Sequence, residues 1–218
     1  MPFADVMRRY PKAKRNYDDR AKRITEEQRA IARQFGKDFF DGDRLYGYGG
    51  YKYDGRWKPV VQDFADHYGL TNQSAILDIG AAKGFMVRDL IELLPGANVR
   101  GIDISDYAVA NADPVAKPFL QVADCESLPF PDKSFDLVIS INTAHNLPLD
   151  RCRTALKEMM RVSRKHAFVI LDAWRNDLEK ERLGKWNLTA KTTMSVDDWI
   201  KVFGEVGYTG DWDWFICE

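Results

Sequence analysis

The segment 76–85 constrains this fold most, because it joins a strand, a tight loop and a helix start. It reads Ile-Leu-Asp-Ile-Gly-Ala-Ala-Lys-Gly-Phe. The apolar run 76–79 predicts a buried strand, and a helical pattern begins at Phe85. The small residues between them let a backbone approach a ligand closely, and a helix start offers free N–H groups. The segment therefore predicts a nucleotide-binding loop.

A second short strand supports this prediction. It covers residues 99–102 and ends in Asp103. The separation of Gly80 and Asp103 is close to the roughly 20 residues between a glycine-rich loop and a ribose-binding carboxylate in a βαβ unit. A carboxylate there can accept hydrogen bonds from both ribose hydroxyls. The alternative is a surface acid that caps the next helix, which begins near Ser105.

The spacing of small residues in the loop bears on which nucleotide binds. A dinucleotide fingerprint needs small residues at its first, third and sixth positions. Here the sixth position is Phe85, and the small residues Gly80, Ala82 and Gly84 occupy the first, third and fifth. This spacing disfavours an NAD-dependent oxidoreductase.

Predicted strands and helices alternate after the loop. This alternation indicates an α/β fold with a doubly wound parallel sheet. A helix from Ser195 to Val206 and a strand over 212–217 are expected at the end of the chain. The five earlier strands are predicted near 76–79, 99–102, 119–122, 135–141 and 166–172.

Four ordered blocks between residues 76 and 172 resemble the class I S-adenosylmethionine (SAM)-dependent methyltransferases of the methyltransferase-domain-11 type. The loop matches that family's acid and Gly-x-Gly-x-Gly motif, with Ala82 replacing the middle glycine. Residues 124–138 resemble the family's "Asp, acid, Leu-Pro-Phe, Ser-Phe-Asp-Leu-Val" signature, and 156–162 its helix before the fifth strand. The resemblance implies a seven-stranded, mainly parallel Rossmann-like sheet with an antiparallel last strand.

The resemblance also implies the cofactor SAM, with S-adenosylhomocysteine as its product. Asp78 would orient the ammonium group, Asp103 would bind the ribose, and Asp124 would receive the adenine amino group. For Asp78 the alternative is capping of the loop, and for Asp124 a turn role. The SAM-binding residues implied are Asp78, Gly80, Ala82, Gly84, Phe85, Asp103, Ile104, Asp124, Cys125, Asn142 and Thr143.

Two residues are candidates for the base that takes a proton from the methyl acceptor. His145 follows the fourth strand, and an unperturbed imidazole titrates near neutrality. Asp172 follows the fifth strand. The alternatives are a histidine that only packs or contacts the cofactor, and an aspartate that only caps its strand.

The first 57 residues fall outside the resemblance. We expect residues 1–57 to form an N-terminal helical segment and lid, and 58–218 the SAM-binding domain. Glycine and tyrosine alternate in 46–57, which predicts a turn-rich loop that excludes water, or else a hairpin packed on the core. Its aromatic rings could enclose a sulfonium and its cations an anion. The predicted lid and substrate residues are Tyr48, Tyr51, Lys52, Tyr53, Arg56, Trp57 and Trp174.

Composition excludes several classes of protein. The net charge is −1, and the three cysteines form no Cys-x-x-Cys pair, so we expect no metal site and no disulfide framework. Free thiols without a signal peptide predict a cytoplasmic location. No apolar run approaches the ~20 residues of a membrane span. Residues 1–33 are basic, which indicates a solvated helix or contact with an anionic partner.

These observations predict a methyltransferase that acts on an oxygen, or a nitrogen, of a small polar or anionic metabolite. A sugar, a phosphorylated metabolite or a surface-polysaccharide precursor fits this description. RNA methylation and a SAM-binding regulatory or partner protein without activity are the alternatives. The Asn/Asp-Pro-Pro-aromatic motif and the Pro-Cys nucleophile of nucleic-acid enzymes are absent, so nucleic acid is disfavoured. The oligomeric state stays open, and a homodimer is compatible with the sequence.

Overall fold

A computed structural model describes residues 4–12 and 15–218 of the chain. Seven strands form its central sheet. They are β1 (Ala75–Ile79), β2 (Asn98–Asp103), β3 (Leu120–Val122), β4 (Phe135–Ile141), β5 (Ser163–Trp174), β6 (Met194–Ser195) and β7 (Asp211–Phe215).

The strand order is β3-β2-β1-β4-β5, and both β6 and β7 pair with β5. Strand β7 pairs along the middle of β5, and β6 pairs with its last residues, Ala173 and Trp174. Every strand pairing of the described residues is parallel. The order reverses beside β1, so the carboxyl ends of β1 and β4 flank the switch point at which such sheets bind ligands.

The expected antiparallel last strand is wrong. Phe168 pairs with Asp211 and Asp172 with Phe215, so β7 runs in the same direction as β5. The reason is the connection. An 11-residue helix, Val196–Val206, separates β6 from β7, and a helical crossover returns the chain to the end of the sheet from which it started. A hairpin with its tight turn is therefore not formed.

Nine α-helices accompany the strands in the described residues. Helices follow β1, β2 and β4, as the predicted alternation requires, whereas the connection from β3 to β4 carries no helix. The helices are α1 (Tyr17–Arg23), α2 (Glu26–Ala32), α3 (Lys37–Asp41), α4 (Lys58–Tyr68), α5 (Phe85–Leu93), α6 (Asp106–Ala110), α7 (Leu149–Val162), α8 (Asp177–Trp186) and α9 (Val196–Val206).

Helices cover both faces of the sheet, which confirms the doubly wound fold. Successive strand residues point to opposite faces. On one face Leu77 belongs to a buried cluster with Leu156 of α7 and Trp199 of α9. On the other face Ile76 shares a buried cluster with Phe64 of α4. Both faces of β1 are therefore buried among apolar side chains, and its polar side chain lies near its carboxyl end.

The N-terminal helices form a cap beside the carboxyl edge of the sheet. Helix α1 packs on α8, where the Nε of Arg20 donates to the carbonyl of Trp186 over 2.8 Å. Thr25 and Gln28 form the capping box of α2, as their spacing predicts. Helix α3 leads into the loop that carries Tyr48 and Tyr51. We call residues 15–57 the cap.

No helix of the described ranges 4–12 and 15–218 combines the length and the hydropathy that crossing a bilayer requires.

Candidate functional site

A cavity of about 1070 Å³ lies between the carboxyl edge of the sheet and the cap. Gly80 after β1, Asp103 at the end of β2, Asn142 after β4 and Asp172 near the end of β5 all line it. Because parallel strands end at one edge, four segments distant in sequence converge here. The volume is slightly above the roughly 300–1,000 Å³ of typical small-ligand sites, which leaves room for two reactants.

Three small residues of the loop after β1 have left-handed backbone conformations. Gly80, Ala82 and Gly84 have φ angles of +81°, +51° and +76°. A Cβ at Gly80 would lie 2.0 Å from the Oγ1 of Thr143, so position 80 requires glycine for both conformation and space. Ala82 is strained by its positive φ, at a cost of about 1–2 kcal/mol. Its methyl group packs in a small cluster with Phe40 of the cap, which offsets part of that cost.

Asp78 is a buried carboxylate on the wall of the cavity. Among the described residues no group donates a hydrogen bond to it. Burial and the neighbouring charge of Asp103 raise its pKa to about 8. An uncompensated carboxylate of this kind is a strong site for a cation, because a cation would ionise it and stabilise the charge.

Asp103 is held at a fixed orientation. Its Oδ2 accepts from the N–H of Ala82 over 2.7 Å, and its Oδ1 accepts from the N–H of Ser105 over 2.9 Å. Burial raises the pKa of Asp103, and these N–H donors oppose the shift. Each oxygen keeps a second lone pair, so the carboxylate can accept from two hydroxyls of a ribose.

The segment after β3 lies next to Asp103. The N–H of Ala123 donates to the carbonyl of Asp103 over 3.0 Å, which brings Asp124 and Cys125 to the cavity wall. The Oδ1 of Asp124 accepts from the N–H of Glu126, as in a turn, while burial raises the pKa of the Cys125 thiol to about 12. With Ile104 they form the wall on which an adenine is expected to rest.

Asn142 and Thr143 line the cavity at the end of β4. Asn142 has a φ of +54°, which asparagine tolerates better than most residues. The Thr143 hydroxyl lies 3.2 Å from the carbonyl of Ile79 and 3.1 Å from that of Ile141. Thr143 therefore joins the ends of β1 and β4 and limits the space at Gly80.

His145 and Asp172 lie together in the cavity wall. The N–H of Asp172 donates to the Nδ1 of His145 over 3.0 Å. The Nδ1 atom is therefore unprotonated, and the neutral ring carries its proton on Nε2. That Nε2 lies 3.6 Å from the Oδ1 of Asp172. Burial lowers the pKa of His145, so the ring stays neutral, and neither nitrogen has a lone pair left for an acceptor proton.

Asp172 has the properties of a base. Burial raises the pKa of its carboxyl group. Its backbone is fixed on both sides, because its carbonyl accepts from the Nε1 of Trp199 over 3.0 Å while its N–H donates to His145. Its carboxylate can therefore accept a proton at a defined place in the cavity.

Comparison with known proteins agrees with this geometry. A family model described as "Methyltransferase domain" matches residues 77–171, which include the loop and the ends of β2 and β4 and stop within β5, one residue before Asp172. This segment of the chain is similar to the class I methyltransferases. The methyl donor of that family is SAM.

Two curated relatives have different acceptors in their names. The malonyl-[acyl-carrier protein] O-methyltransferase of Halorhodospira halophila is 30% identical over 118 residues, which are 51% of this chain and 38% of that protein. The tRNA (carboxymethyluridine(34)-5-O)-methyltransferase of Arabidopsis thaliana is 30% identical over 147 residues, 66% of this chain and 34% of that protein. This chain therefore spans little more than a third of either relative.

Among solved structures, the YcgJ protein of Bacillus subtilis has a similar fold. It is 23% identical, with a TM-score of 0.54, and the match covers 66% of this chain and 65% of that one. At this identity the likeness concerns the fold alone.

Several predicted residues of the methyltransferase lie away from the cavity. Gly84 and Phe85 do not line it. A Cβ at Gly84 would lie 2.7 Å from the Cβ of Ala116, and Phe85 stacks on Tyr51 with ring centroids 4.6 Å apart. Lys52 and Trp174 are also outside the lining. The Gly84 and Phe85 side of the loop therefore supports the cavity by packing.

The predicted lid is divided between the cavity and the core. Tyr48, Tyr51, Arg56 and Trp57 line the cavity, whereas Tyr53 points away and its hydroxyl donates to the carboxylate of Asp89. The Nε of Arg56 lies 2.9 Å from both carboxylate oxygens of Asp54, so this guanidinium already has a counter-ion. Arg56 is consequently a weaker candidate for holding an anionic substrate than its position in the loop suggested.

An ion pair that the sequence does not predict joins the loop after β1 to the cap. Lys83 belongs to the loop after β1, and its Nζ lies 2.7 and 2.6 Å from the two carboxylate oxygens of Asp41. The same carboxylate accepts a hydrogen bond from the Tyr107 hydroxyl over 2.8 Å. The Oγ of Ser105 donates to the carbonyl of Phe35 over 2.5 Å. A lysine within a buried segment signals a carboxylate partner, but the sequence does not indicate which of the many acids it is.

Cationic residues of the cap were also missed as site residues. Arg20, Arg33 and Arg44 line the cavity from the cap. In the sequence they are part of a basic segment that is indistinguishable from a solvated helix. In the described part of the chain, no group of three or more His, Cys, Asp or Glu side chains is arranged to hold a metal ion.

Proposed function

We propose that this protein transfers a methyl group from SAM to a hydroxyl oxygen of a small polar or anionic metabolite. The observation that carries the proposal is the position of Asp172. Its carboxylate lines the same cavity as Asp78 and Asp103, on the neighbouring side of β4, with the backbone fixed by Trp199 and His145. A fixed base facing the donor site is what methylation of a hydroxyl requires.

The donor half of the cavity fits SAM. Asp78 would pair with the ammonium group, Asp103 would accept from the two ribose hydroxyls, and Ile104 would contact the adenine. When bound, SAM supplies a methyl group on a positively charged sulfur, which needs no further activation by the protein. The chain's own task is to exclude water and hold the acceptor about 3–3.5 Å from that carbon.

Asp172 would remove the acceptor's proton. The acceptor oxygen forms its bond to the methyl carbon while the carbon–sulfur bond breaks toward sulfur, and the hydroxyl proton passes to the Asp172 carboxylate. His145 would position Asp172 through Nδ1, which accepts from the Asp172 backbone, while its Nε2 lies 3.6 Å from the carboxylate. An amine acceptor that arrives uncharged would need this base less, so the arrangement favours oxygen over nitrogen.

The directions of the basic side chains favour a small acceptor over RNA. Arg20, Arg33 and Arg44 line the enclosed cavity, and Arg8 and Arg9 are bonded to the carboxylate of Asp63. RNA binding needs basic groups arrayed along an open surface. A sugar or a surface-polysaccharide precursor satisfies the size and polarity of the site.

Two measurements test this function. Calorimetric titration with SAM, S-adenosylhomocysteine and NAD should give binding of the first two and none of NAD. A metabolite screen that detects S-adenosylhomocysteine should then identify the acceptor. Asp172→Asn should lower kcat by about 10²–10⁴-fold and leave S-adenosylhomocysteine affinity unchanged.

Other outcomes separate the alternatives. A folded protein that binds neither SAM nor its product would refute the proposal. SAM binding without turnover on any acceptor would identify a regulatory or partner protein. Full activity of Asp172→Asn would remove the base role and favour an amine acceptor.

A further inference from the structure

The cap side of the cavity carries positive charge without matching negative charge. Arg20, Arg33 and Arg44 line the cavity from three places in the cap: α1, the end of α2 and the loop after α3. The N–H groups of Arg20 and Arg33 donate to the carbonyls of Asn16 and Arg29, so helical hydrogen bonds fix two of these three positions.

The counter-ions of these arginines are few. Arg33 has one acidic neighbour, Glu26 at 3.7 Å, and Glu26 is also paired with Arg29 at 3.0 Å. In the described residues no carboxylate forms an ion pair with Arg20 or Arg44. Arg20 donates to the carbonyl of Trp186 and Arg44 to the carbonyl of Gly47, which are neutral partners.

The cluster is electrostatically strained as it stands. Burial and the positive charges of Arg44 and Arg29 lower the pKa of Arg20 to about 10. The Nε of Arg33 is buried without a hydrogen-bond partner. Arg20 and Arg33 are half-buried and Arg44 is exposed, so an anion that accepts several hydrogen bonds at once would stabilise these partly shielded donors.

We propose that Arg20, Arg33 and Arg44 bind a phosphoryl group of the methyl acceptor. A phosphate monoester or diphosphate carries about two negative charges and offers oxygens in several directions, which suits guanidinium groups arriving from three segments. A single carboxylate would compensate fewer of these charges. The inference rests on the proposed function, because the acceptor shares the cavity with SAM.

Each wall of the cavity would then bind a different part of the two reactants. The phosphoryl group would be held by the cap, the hydroxyl to be methylated would face Asp172, and the methyl donor would lie over the loop at Gly80. The acceptor is then a phosphorylated compound with a free hydroxyl, such as a sugar phosphate.

The test uses the full chain saturated with S-adenosylhomocysteine. It is titrated with inorganic phosphate, and with acetate as a carboxylate probe, at constant ionic strength. We expect saturable phosphate binding that is stronger than acetate binding. Arg33→Gln should weaken phosphate binding by about tenfold, the loss of one charge-assisted contact.

The matched control is Arg23→Gln. Arg23 lies on α1, pairs only with Asp19 and does not line the cavity, so phosphate affinity should not change. Because Arg33 forms only a long, exposed ion pair with Glu26, which Arg29 also neutralises, Arg33→Gln should melt close to the temperature of the unsubstituted protein. Arg33→Lys, which keeps the charge, should recover part of the affinity.

Two results would overturn the inference: phosphate bound no better than acetate, or equal phosphate affinity in Arg33→Gln, Arg23→Gln and the unsubstituted chain. The first titration keeps the two proposals apart. Failure to bind S-adenosylhomocysteine rejects the proposed function, whereas normal binding without a phosphate site rejects only the assignment of the arginines.

Discussion

The two sides of the cavity differ in charge and in how the sequence specifies them. The sheet side presents the carboxylates of Asp78, Asp103 and Asp172, and the cap side presents the guanidinium groups of Arg20 and Arg33. Each residue of the sheet side follows a strand, so its place is set by local pattern and by the common edge of a parallel sheet. The cap residues reach the cavity only through contacts between distant segments. Short sequence motifs therefore predict the residues proposed to bind the methyl donor, but they do not predict those proposed to bind the methyl acceptor.

The largest expected effect tests the sheet side of the cavity, whose residues are specified by local sequence pattern. Gly80→Ala should lower the free energy of unfolding by about 2–5 kcal/mol, through left-handed strain and the clash with Thr143. Gly69→Ala is the matched control, because Gly69 has a φ of +62° but no atom near its Cβ position. It should cost only about 1–2 kcal/mol in chemical denaturation. Equal costs would show that the contact with Thr143 does not restrict the loop.

The next effect concerns cofactor recognition. Asp103→Ala should weaken S-adenosylhomocysteine binding by ~1–3 kcal/mol, because the ribose hydroxyls and the N–H of Ala82 lose their acceptor. Calorimetry measures this loss. Asp106→Ala, an exposed acid at the start of α6, is the control and should bind normally. Unchanged affinity in Asp103→Ala would remove this carboxylate from the site.

A third substitution tests the cap side of the cavity, which is held by contacts between distant segments. Asp41→Asn should lower the free energy of unfolding by about 1–2 kcal/mol, because the ammonium of Lys83 loses its charged partner in a largely buried place. Asp43→Asn, an exposed neighbour in the same segment, should melt as the unsubstituted chain does. If both variants melt alike, the lid is held by its aromatic contacts alone.

The fourth prediction is a pH dependence of binding set by Asp78. Its pKa of about 8 means that the free protein holds this carboxyl protonated near neutrality, whereas an ammonium ligand favours the ionised form. Affinity for S-adenosylhomocysteine should therefore rise from about pH 6 to about pH 8, by at most tenfold per unit, with release of a proton. Titrations in buffers of different ionisation enthalpy detect that proton. Asp78→Asn should remove the dependence, and equal affinity at both pH values would contradict it.

Asp78 also affects stability with the opposite sign. Its folded pKa is raised above the unfolded value of 3.8, so its favourable contribution is complete below about pH 4. That contribution is lost as the pH rises to about 8. Asp78→Asn should accordingly raise the melting temperature at pH 8 while it weakens ligand binding.

Most of the fold follows from the sequence, because hydrophobic periodicity is local. Helix α4 spans Lys58–Tyr68, in agreement with the four-residue spacing of Val60, Phe64 and Tyr68, and β4 is Phe135–Ile141, as predicted from its apolar run. The direction of β7 could not be predicted in this way. It depends on how α9 returns the chain to β5, and the apolar pattern of a strand is the same in both directions.

The roles of individual site residues were likewise only partly predictable from the sequence. His145 was a reasonable base from its residue type, but its function depends on which nitrogen is free. The N–H of Asp172, 27 residues away, occupies Nδ1 and so decides the tautomer. Likewise Lys83 was visible in the loop, but its partner Asp41 lies 42 positions earlier. Hydrogen bonds between distant segments carry no signal in the spacing of residues.

The clamped backbone of Asp172 has an evolutionary consequence. Its carbonyl is fixed by Trp199 and its N–H by His145, and both partners belong to the sheet and its covering helices. A lineage that changes its substrate can therefore leave the proton acceptor untouched. The replacements that accommodate a new acceptor would accumulate in residues 15–57, which would diverge quickly while the reaction itself is inherited.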